Sequence, residues 1–340
     1  MTLITYPTRV HFADGVLEEA LRSELERQGH RFPLILYEDR LEGSLFHARL
    51  FSSLPRRAEM LGVPFEAAAD LHAVRDEVRA RAADVPVDAI VAFGSARAIE
   101  LARKCRRALS EGQGARLDLF AIPGADGLPD PCTRNLESWR AGLPSILICD
   151  PTLTFGADHT LSLSASVTSF ARCLESYLAA AYNPPADGMA LDGFLRCARN
   201  LHRLGTEDGP DVRRELMAAC LNAMMAQEKG VGPTQVLARE LAARAPDGAD
   251  AGSIARLLLP GIVTAMAPTG EKPEALRSVL GRSEPDLGDG VRAFLSDLPF
   301  RASLSDMGLT RGDLDSAART MAGRPDIAPE TAARVLDSVY

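Results

Sequence analysis

Lysine is nearly missing from this 340-residue chain: Lys104, Lys229 and Lys272 are the only three, and none follows a GxxxxG run, which excludes a Walker-type phosphate loop. Positive charge is in deficit as a whole. Lys and Arg number 38 against 46 Asp and Glu, a formal net charge of -8, so neither a dedicated nucleic-acid surface nor an anionic membrane is expected as partner. Aromatics make up 5% with a single Trp, and no apolar run approaches the roughly 20 residues needed to cross a bilayer. The opening MTLITYPTRVHF lacks the charged-then-apolar order of a secretory signal, so a cytoplasmic protein is expected. Cys105, Cys132, Cys149, Cys173, Cys197 and Cys220 are dispersed without a CxxC pair, the pattern of small buried thiols rather than of a redox pair or zinc ribbon. His11, His30, His47, His72, His159 and His202 include no HxxxH or HxxH pair. They read as solvated or core histidines.

What is present is a globular composition, 46% hydrophobic and 25% charged, in a chain long enough for two cores. Up to about residue 150, short apolar runs alternate with helical patterns, the sign of a parallel sheet with helical crossovers. Strands are expected at TRVHF, at 33–37, at 88–93, at 117–123 and at 144–149. Asp14 is the expected N-cap of a helix ending at Gly29, a second helix is expected over 67–83, and another follows Gly94-Ser95. The GADGLPDPC stretch reads as loop. Beyond Asp150-Pro151 the pattern changes to helix after helix, at 162–182, 186–204, 211–228, 233–245, 251–266, 272–282, 288–298, 310–322 and 328–338. The expected domains are therefore an α/β unit over 1–150 and an all-α unit over 151–340. Val167, Phe170, Leu174 and Leu178 share a face of the first long helix, and Thr310 with Asp313 opens a later helix as a capping box.

Several stretches, in order along the chain, resemble the iron-containing alcohol dehydrogenase superfamily and within it the maleylacetate reductase branch. TRVHFADGVLEEALRSELERQG is similar to the family's opening strand, turn and helix. DAIVAFGSARAIELARK sits where the family has a strand, a Gly-Gly-Gly-Ser turn and a helix. CDPTLTF resembles its Asp-Pro-x-Leu-Thr junction, ARCLESYLA its helix ending in His-x-x-Glu, and LLLPGIVTAMAP and DMGLTRGDLDSAA two landmarks of its helical domain. The resemblance implies a nucleotide-binding α/β domain joined to a helical domain, with nicotinamide cofactor and usually a divalent metal in the cleft between them.

The motifs that carry that chemistry are substituted. Gly94 alone remains of the three glycines; Ser95, Ala96 and Arg97 fill the later positions, where Cβ atoms would obstruct a turn needing positive φ by about 1–2 kcal/mol each. Arg97 could pair with a phosphate. The family's second phosphate loop is represented by Pro123-Gly124-Ala125 without its hydroxyls, and Glu38 or Asp39 after the second strand could hold a ribose hydroxyl. The positions of the metal-binding Asp and His are taken by Thr168 and Arg172, and those of a later helix by Gln235 and Arg239; the last His position falls near Ala251. Guanidinium has no acceptor lone pair, so no metal is expected. Asp158-His159, leading into the helix, could supply a general acid or base.

Thr168, Arg172 and Glu175 stand at i, i+4 and i+7, so they share one stripe, with an Arg172–Glu175 ion pair as the purely structural alternative. With Arg239 brought to the same position by the family geometry, a cation site becomes an anion site suited to an acidic small molecule or a peptide carboxylate. Two functions follow. The losses favour a degenerate, metal-free binding or partner subunit without bound cofactor, as a homodimer or beside an active paralogue. The alternative is an enzyme, a metal-independent NAD(P)-dependent reductase or dehydrogenase acting on an acidic keto or hydroxy substrate, its carbonyl polarised by Arg172 or Arg239.

Overall fold

Apolar runs too short for helices become, in the first unit, a six-stranded sheet ordered β1-β6-β5-β4-β2-β3 with every pairing parallel. The computed structural model describes residues 6, 8–111, 117–125, 127, 140–207, 209–246, 249–281 and 284–340. The strands are β1 (Arg9–Phe12), β2 (Pro33–Glu38), β3 (Leu61–Phe65), β4 (Ala89–Gly94), β5 (Asp118–Pro123) and β6 (Ile146–Cys149). The helices between them are α1 (Leu17–Gln28), α2 (Leu45–Ser52), α3 (Leu71–Arg81) and α4 (Ala96–Ser110). β2, β4, β5 and β6 are apolar on both sides because helices cover both faces of a parallel sheet. Ile35, Val91, Phe93, Phe120 and Ile122 pack against Leu17, Leu21 and Leu25 of α1 and Leu50 of α2. The alternate residues, Leu34, Leu36, Ile90 and Leu119 among them, are fully buried too, on the side taken by α4. Each such side chain contributes about 1.5–3 kcal/mol of burial.

Three local expectations are corrected. β3 and α2 carry no strong sequence signal. β3 holds Gly62 and Pro64, tolerated because β3 is an edge strand that pairs only with β2. The second helix begins at Leu71, since Asp70 accepts a hydrogen bond from the His72 amide and caps it. Asp14 does not cap α1; the cap is remote, with Asp150 accepting from the amides of Gly15 at 2.8 Å and Leu17 at 3.3 Å. Of the expected loop over 124–132, only Gly124, Ala125 and Gly127 lie within the described residues.

The first unit extends to Asp158 and the second runs from His159 to Tyr340. Residues 151–158 stay with the first unit because Asp150 is fully buried and ties the end of β6 back to α1 and α2, while Pro151–Thr154 form a 3-10 turn on it. The second unit is helical: α5 (His159–Leu178), α6 (Pro184–Glu207), α7 (Pro210–Ala226), α8 (Pro233–Ala242), α9 (Ala251–Met266), α10 (Glu271–Leu280), α11 (Leu287–Leu295), α12 (Arg311–Arg319) and α13 (Pro329–Ser338). α5 is its axis. Val167, Phe170 and Leu174 are fully buried with Leu178 packed beside them, and the Phe170 ring lies 4.6 Å from Phe194 and 5.3 Å from Phe294. Thr310 and Asp313 form the expected capping box at α12. Among the described residues, no helix is long and apolar enough to cross a membrane.

Candidate functional site

In the first unit the strand order reverses direction between β2 and β4: the chain leaves β2 for β3 on one side and β4 for β5 on the other. Such a switch point opens a crevice at the carboxyl ends of the strands, where open α/β sheets bind ligands. Glu38 ends β2, Gly94 ends β4, and Gly124 follows β5, so the structure brings these candidate cofactor residues to one edge, with Ser95 and Arg97 opening α4 beside them.

The geometry of that edge is set by two glycines. Gly94 has φ of 94°, and a Cβ there would come within 2.9 Å of Leu41 Cδ1. Gly124 donates its amide to the Gly94 carbonyl, and a Cβ on it would stand 2.6 Å from that oxygen. The anticipated strain at the later positions is absent: Ser95 has φ of -85°, and Ala96 is the first helical residue. Their Cβ atoms are accommodated because the turn needs positive φ only at Gly94.

The polar side chains at the same edge are engaged within the unit. Ser95 is buried and accepts from the Ala98 amide at 3.0 Å, capping α4. Arg97 donates to the Ala69 carbonyl at 2.6 Å. Glu38 is buried with its carboxylate on the Arg40 guanidinium. Beneath them, Arg49 reaches Glu18 at 2.6 Å, Thr152 at 2.9 Å and Asp150 at 2.8 Å. Burial alone would raise the Asp150 pKa, but hydrogen bonds from Thr152, Gly15, Leu17 and Arg49 hold it below the usual carboxylate value. Arg49 and Glu18 were not legible as a pair, being on different helices; the Asp-Pro-x-Leu-Thr stretch was the one signal pointing at Asp150.

In the second unit, Thr168, Arg172 and Glu175 stand on α5, the first half-buried and the other two buried. The Arg172–Glu175 ion pair is not formed. Glu175 instead accepts the Thr234 amide at 2.8 Å, serving as an acceptor for the N-terminus of α8, and its other oxygen, Oε2, is buried without a hydrogen-bond partner. Burial pushes the Glu175 carboxyl up to about 7, outweighing the lowering by the Thr234 hydrogen bonds. Gln235 is buried on α8 with Oε1 unpartnered, and Arg239 is half-buried one turn on. Ser164, one turn before Thr168, donates to Asp250, the cap of α9. The stripe Ser164–Thr168–Arg172–Glu175 therefore faces the N-termini of two helices. His159 opens α5 and is exposed, as is Asp158.

This donor set does not fit a divalent cation. Thr168 and Gln235 offer neutral oxygens, Arg172 and Arg239 offer only N–H groups, and cations prefer imidazole and carboxylate. Among the described residues, no group of three His, Cys, Asp or Glu side chains is placed to hold a metal ion. Of the other histidines, His11 pairs with Glu24 at 2.9 Å and His202 bonds the Phe294 carbonyl at 2.9 Å. Cys105, Cys149, Cys173, Cys197 and Cys220 are buried thiols, and Cys132 lies outside the described residues.

No protein-family model matches the sequence. The chain is 28% identical to a 4-hydroxybutyrate dehydrogenase of Cupriavidus necator, the alignment covering 93% of this chain and 92% of that protein. Its structure superposes on maleylacetate reductase from Agrobacterium tumefaciens with a TM-score of 0.78 at 19% identity, covering 100% of this chain and 97% of the other. It does so equally on an iron-containing alcohol dehydrogenase from Corynebacterium glutamicum, with a TM-score of 0.78 at 18% identity and the same coverage, 100% and 97%. The chain thus shares its fold with these solved structures and is similar along nearly its whole sequence to a dehydrogenase.

Proposed function

We propose that this chain is an NAD(P)-dependent oxidoreductase for a small acidic hydroxy or oxo substrate, in which guanidinium groups take the place of the divalent cation. The observation that carries the reading is the edge formed by β2, β4 and β5: a switch point with Gly94 at φ 94° and a capped helix N-terminus directly after it, the arrangement that receives a pyrophosphate. The amides of the β4–α4 turn would hold the pyrophosphate and Glu38 a ribose hydroxyl; the bound nicotinamide would supply hydride exchange. On the helical unit, Arg172 and Arg239 would pair with substrate carboxylate or polarise its oxygen, while Thr168 and Gln235 would offer neutral hydrogen bonds. His159 is the candidate proton carrier. The relative's substrate, 4-hydroxybutyrate, carries a carboxylate as well as the alcohol, in keeping with an arginine-lined site.

The test is oxidation of 4-hydroxybutyrate with NAD+ or NADP+ by protein treated with a chelator, together with thermal shift in NADH and NADPH. A nucleotide at ~100 times its dissociation constant adds about 2.7 kcal/mol of stability. Turnover unaffected by chelator is expected, and Arg172→Ala with Arg239→Ala weakens substrate binding at least about tenfold.

A second reading is favoured by a specific observation: Ser95, Arg97 and Glu38 are each already engaged inside the first unit. On it, the chain is a partner subunit binding an anionic small molecule or peptide carboxylate, paired with itself or with an active paralogue. No thermal shift with either nucleotide, and no turnover, would establish that reading over the first.

A further inference from the structure

On the first unit, away from the strand ends, α3 and α4 lie side by side, and each presents a row of polar side chains to a shared groove. The α3 row is His72, Arg75 with Asp76, and Arg79; the α4 row is Lys104, Arg107 with Ala108, and Glu111. Both follow the i, i+3/i+4, i+7 spacing of a single helix face, so each row runs about 10 Å. The groove encloses about 440 Å³. In a chain of net charge -8, its walls carry four permanent cations against two carboxylates.

At the middle of the groove two cationic donors converge on one imidazole. Arg75 Nη1 lies 3.3 Å from His72 Nδ1, and Lys104 Nζ lies 3.4 Å from His72 Nε2. An imidazole offers at most one acceptor nitrogen, so whichever tautomer is present, one of these contacts sets a donor against a donor. The carboxylates nearby do not resolve this. Arg75 leans on Asp76 at 2.6 Å, but Asp76 is 63% exposed; Lys104 is 3.7 Å from Glu100 and Arg107 is 3.9 Å from Glu111, pairs worth ~0–1 kcal/mol each. Arg79 has no ion-pair partner among the described residues. An anion lying along the groove would bridge both rows and remove the donor-to-donor contact.

We propose that the α3–α4 groove binds a small polyanion bearing two or more linked phosphoryl groups. Guanidinium forks match phosphate oxygens, and two rows about 10 Å long engage a phosphoanhydride at several points, whereas a single phosphate or a short dicarboxylate meets them at one. The site is independent of the nucleotide edge proposed above, since α3 and the later turns of α4 contribute no residue to that edge.

The probe is inorganic pyrophosphate, titrated calorimetrically into the full chain at about 0.15 M ionic strength, with orthophosphate and succinate as comparators. Pyrophosphate binding at least about tenfold tighter than either comparator is expected. Arg75→Ala combined with Lys104→Ala lowers that affinity at least about tenfold, whereas Arg56→Ala combined with Arg57→Ala, which removes the same charge elsewhere, leaves it unchanged. Because Lys104 is a second donor on the His72 ring, Lys104→Ala alone leaves the Tm unchanged or raises it. Equal affinity in the Arg75/Lys104 variant, an equal loss in the Arg56/Arg57 control, or a lowered Tm for Lys104→Ala would each overturn the proposal.

Discussion

Replacing Glu175 by Gln separates the charge of this buried group from its shape. Its carboxyl is pushed up to about 7 from an ordinary value of 4.5. Between those values the folded chain holds a proton that the unfolded chain has released, so stability falls as pH rises through the interval. The cost is absent below the unfolded value and complete above the folded one. At 1.36 kcal/mol per pH unit it reaches about 3 kcal/mol by pH 8. Gln keeps an oxygen to accept the Thr234 amide, as Oε1 now does at 2.8 Å, and cannot ionise. Its new amide donors sit where Oε2 is buried without a partner, at a penalty of about 1–3 kcal/mol. That penalty is the same at every pH and cancels from the comparison. The quantity to measure is therefore the wild-type minus variant difference as a function of pH, by calorimetry or urea unfolding of the full chain. A shift of about 3 kcal/mol in favour of the variant between pH 4.5 and 8 is expected, or roughly 6–12 °C in the Tm of a unit this size. A difference that stays flat across the interval would falsify the placement of Glu175 as a buried, near-neutral carboxyl.

Asp150 makes the opposite case. Its pKa is held down by the Thr152, Gly15, Leu17 and Arg49 hydrogen bonds, so its contribution to stability is present above the ordinary carboxylate value and is lost as pH falls through the lower folded one. Asp150→Ala, which leaves Arg49 with Glu18 alone as its carboxylate and removes the cap of α1, is expected to cost about 2–4 kcal/mol by urea unfolding at pH 7, and to cost less at acid pH; a loss independent of pH would show that the charge is not what holds the network. Gly124→Ala drives a Cβ against the Gly94 carbonyl, 2.6 Å away, and spreads the ends of β4 and β5. It is expected to lower stability by about 1–3 kcal/mol and to reduce any NADH-induced thermal shift, whereas an unchanged shift would move the nucleotide away from this edge.

The parallel sheet and the succession of helices were legible because a strand covered on both faces is apolar at every position and an amphipathic helix repeats at three and four. Phe93 and Phe120 on one side, and Val167, Phe170 and Leu174 on the other, declare themselves that way. β3 escaped since its Gly62 and Pro64 are turn residues almost everywhere except on a sheet edge. Local rules point to Asp14 as a cap, whereas the acceptor that caps α1 arrives from Asp150, far along the chain. No local rule can find a cap of that kind. The candidate site divides similarly. Spacing put Arg172 and Glu175 on one stripe, but whether Glu175 would meet Arg172 or the α8 amides depended on how closely α8 approached, a tertiary fact.

That tertiary fact bears on the anion site proposed above. The stripe on α5 faces the N-termini of α8 and α9, the positive ends of two helix dipoles. One is met by Glu175 and the other by Asp250, which bonds the Ser253 amide at 2.8 Å and the Ser164 hydroxyl. Asp250 and one oxygen of Glu175 are thus committed to helix ends. The core that packs these helices, from Val167 through Phe294, is apolar and does not pass through Thr168 or Gln235. On the proposed reading, an incoming anion would meet the guanidinium groups of Arg172 and Arg239, and the neutral oxygens of Thr168 and Gln235 would be all that those positions offer a cation.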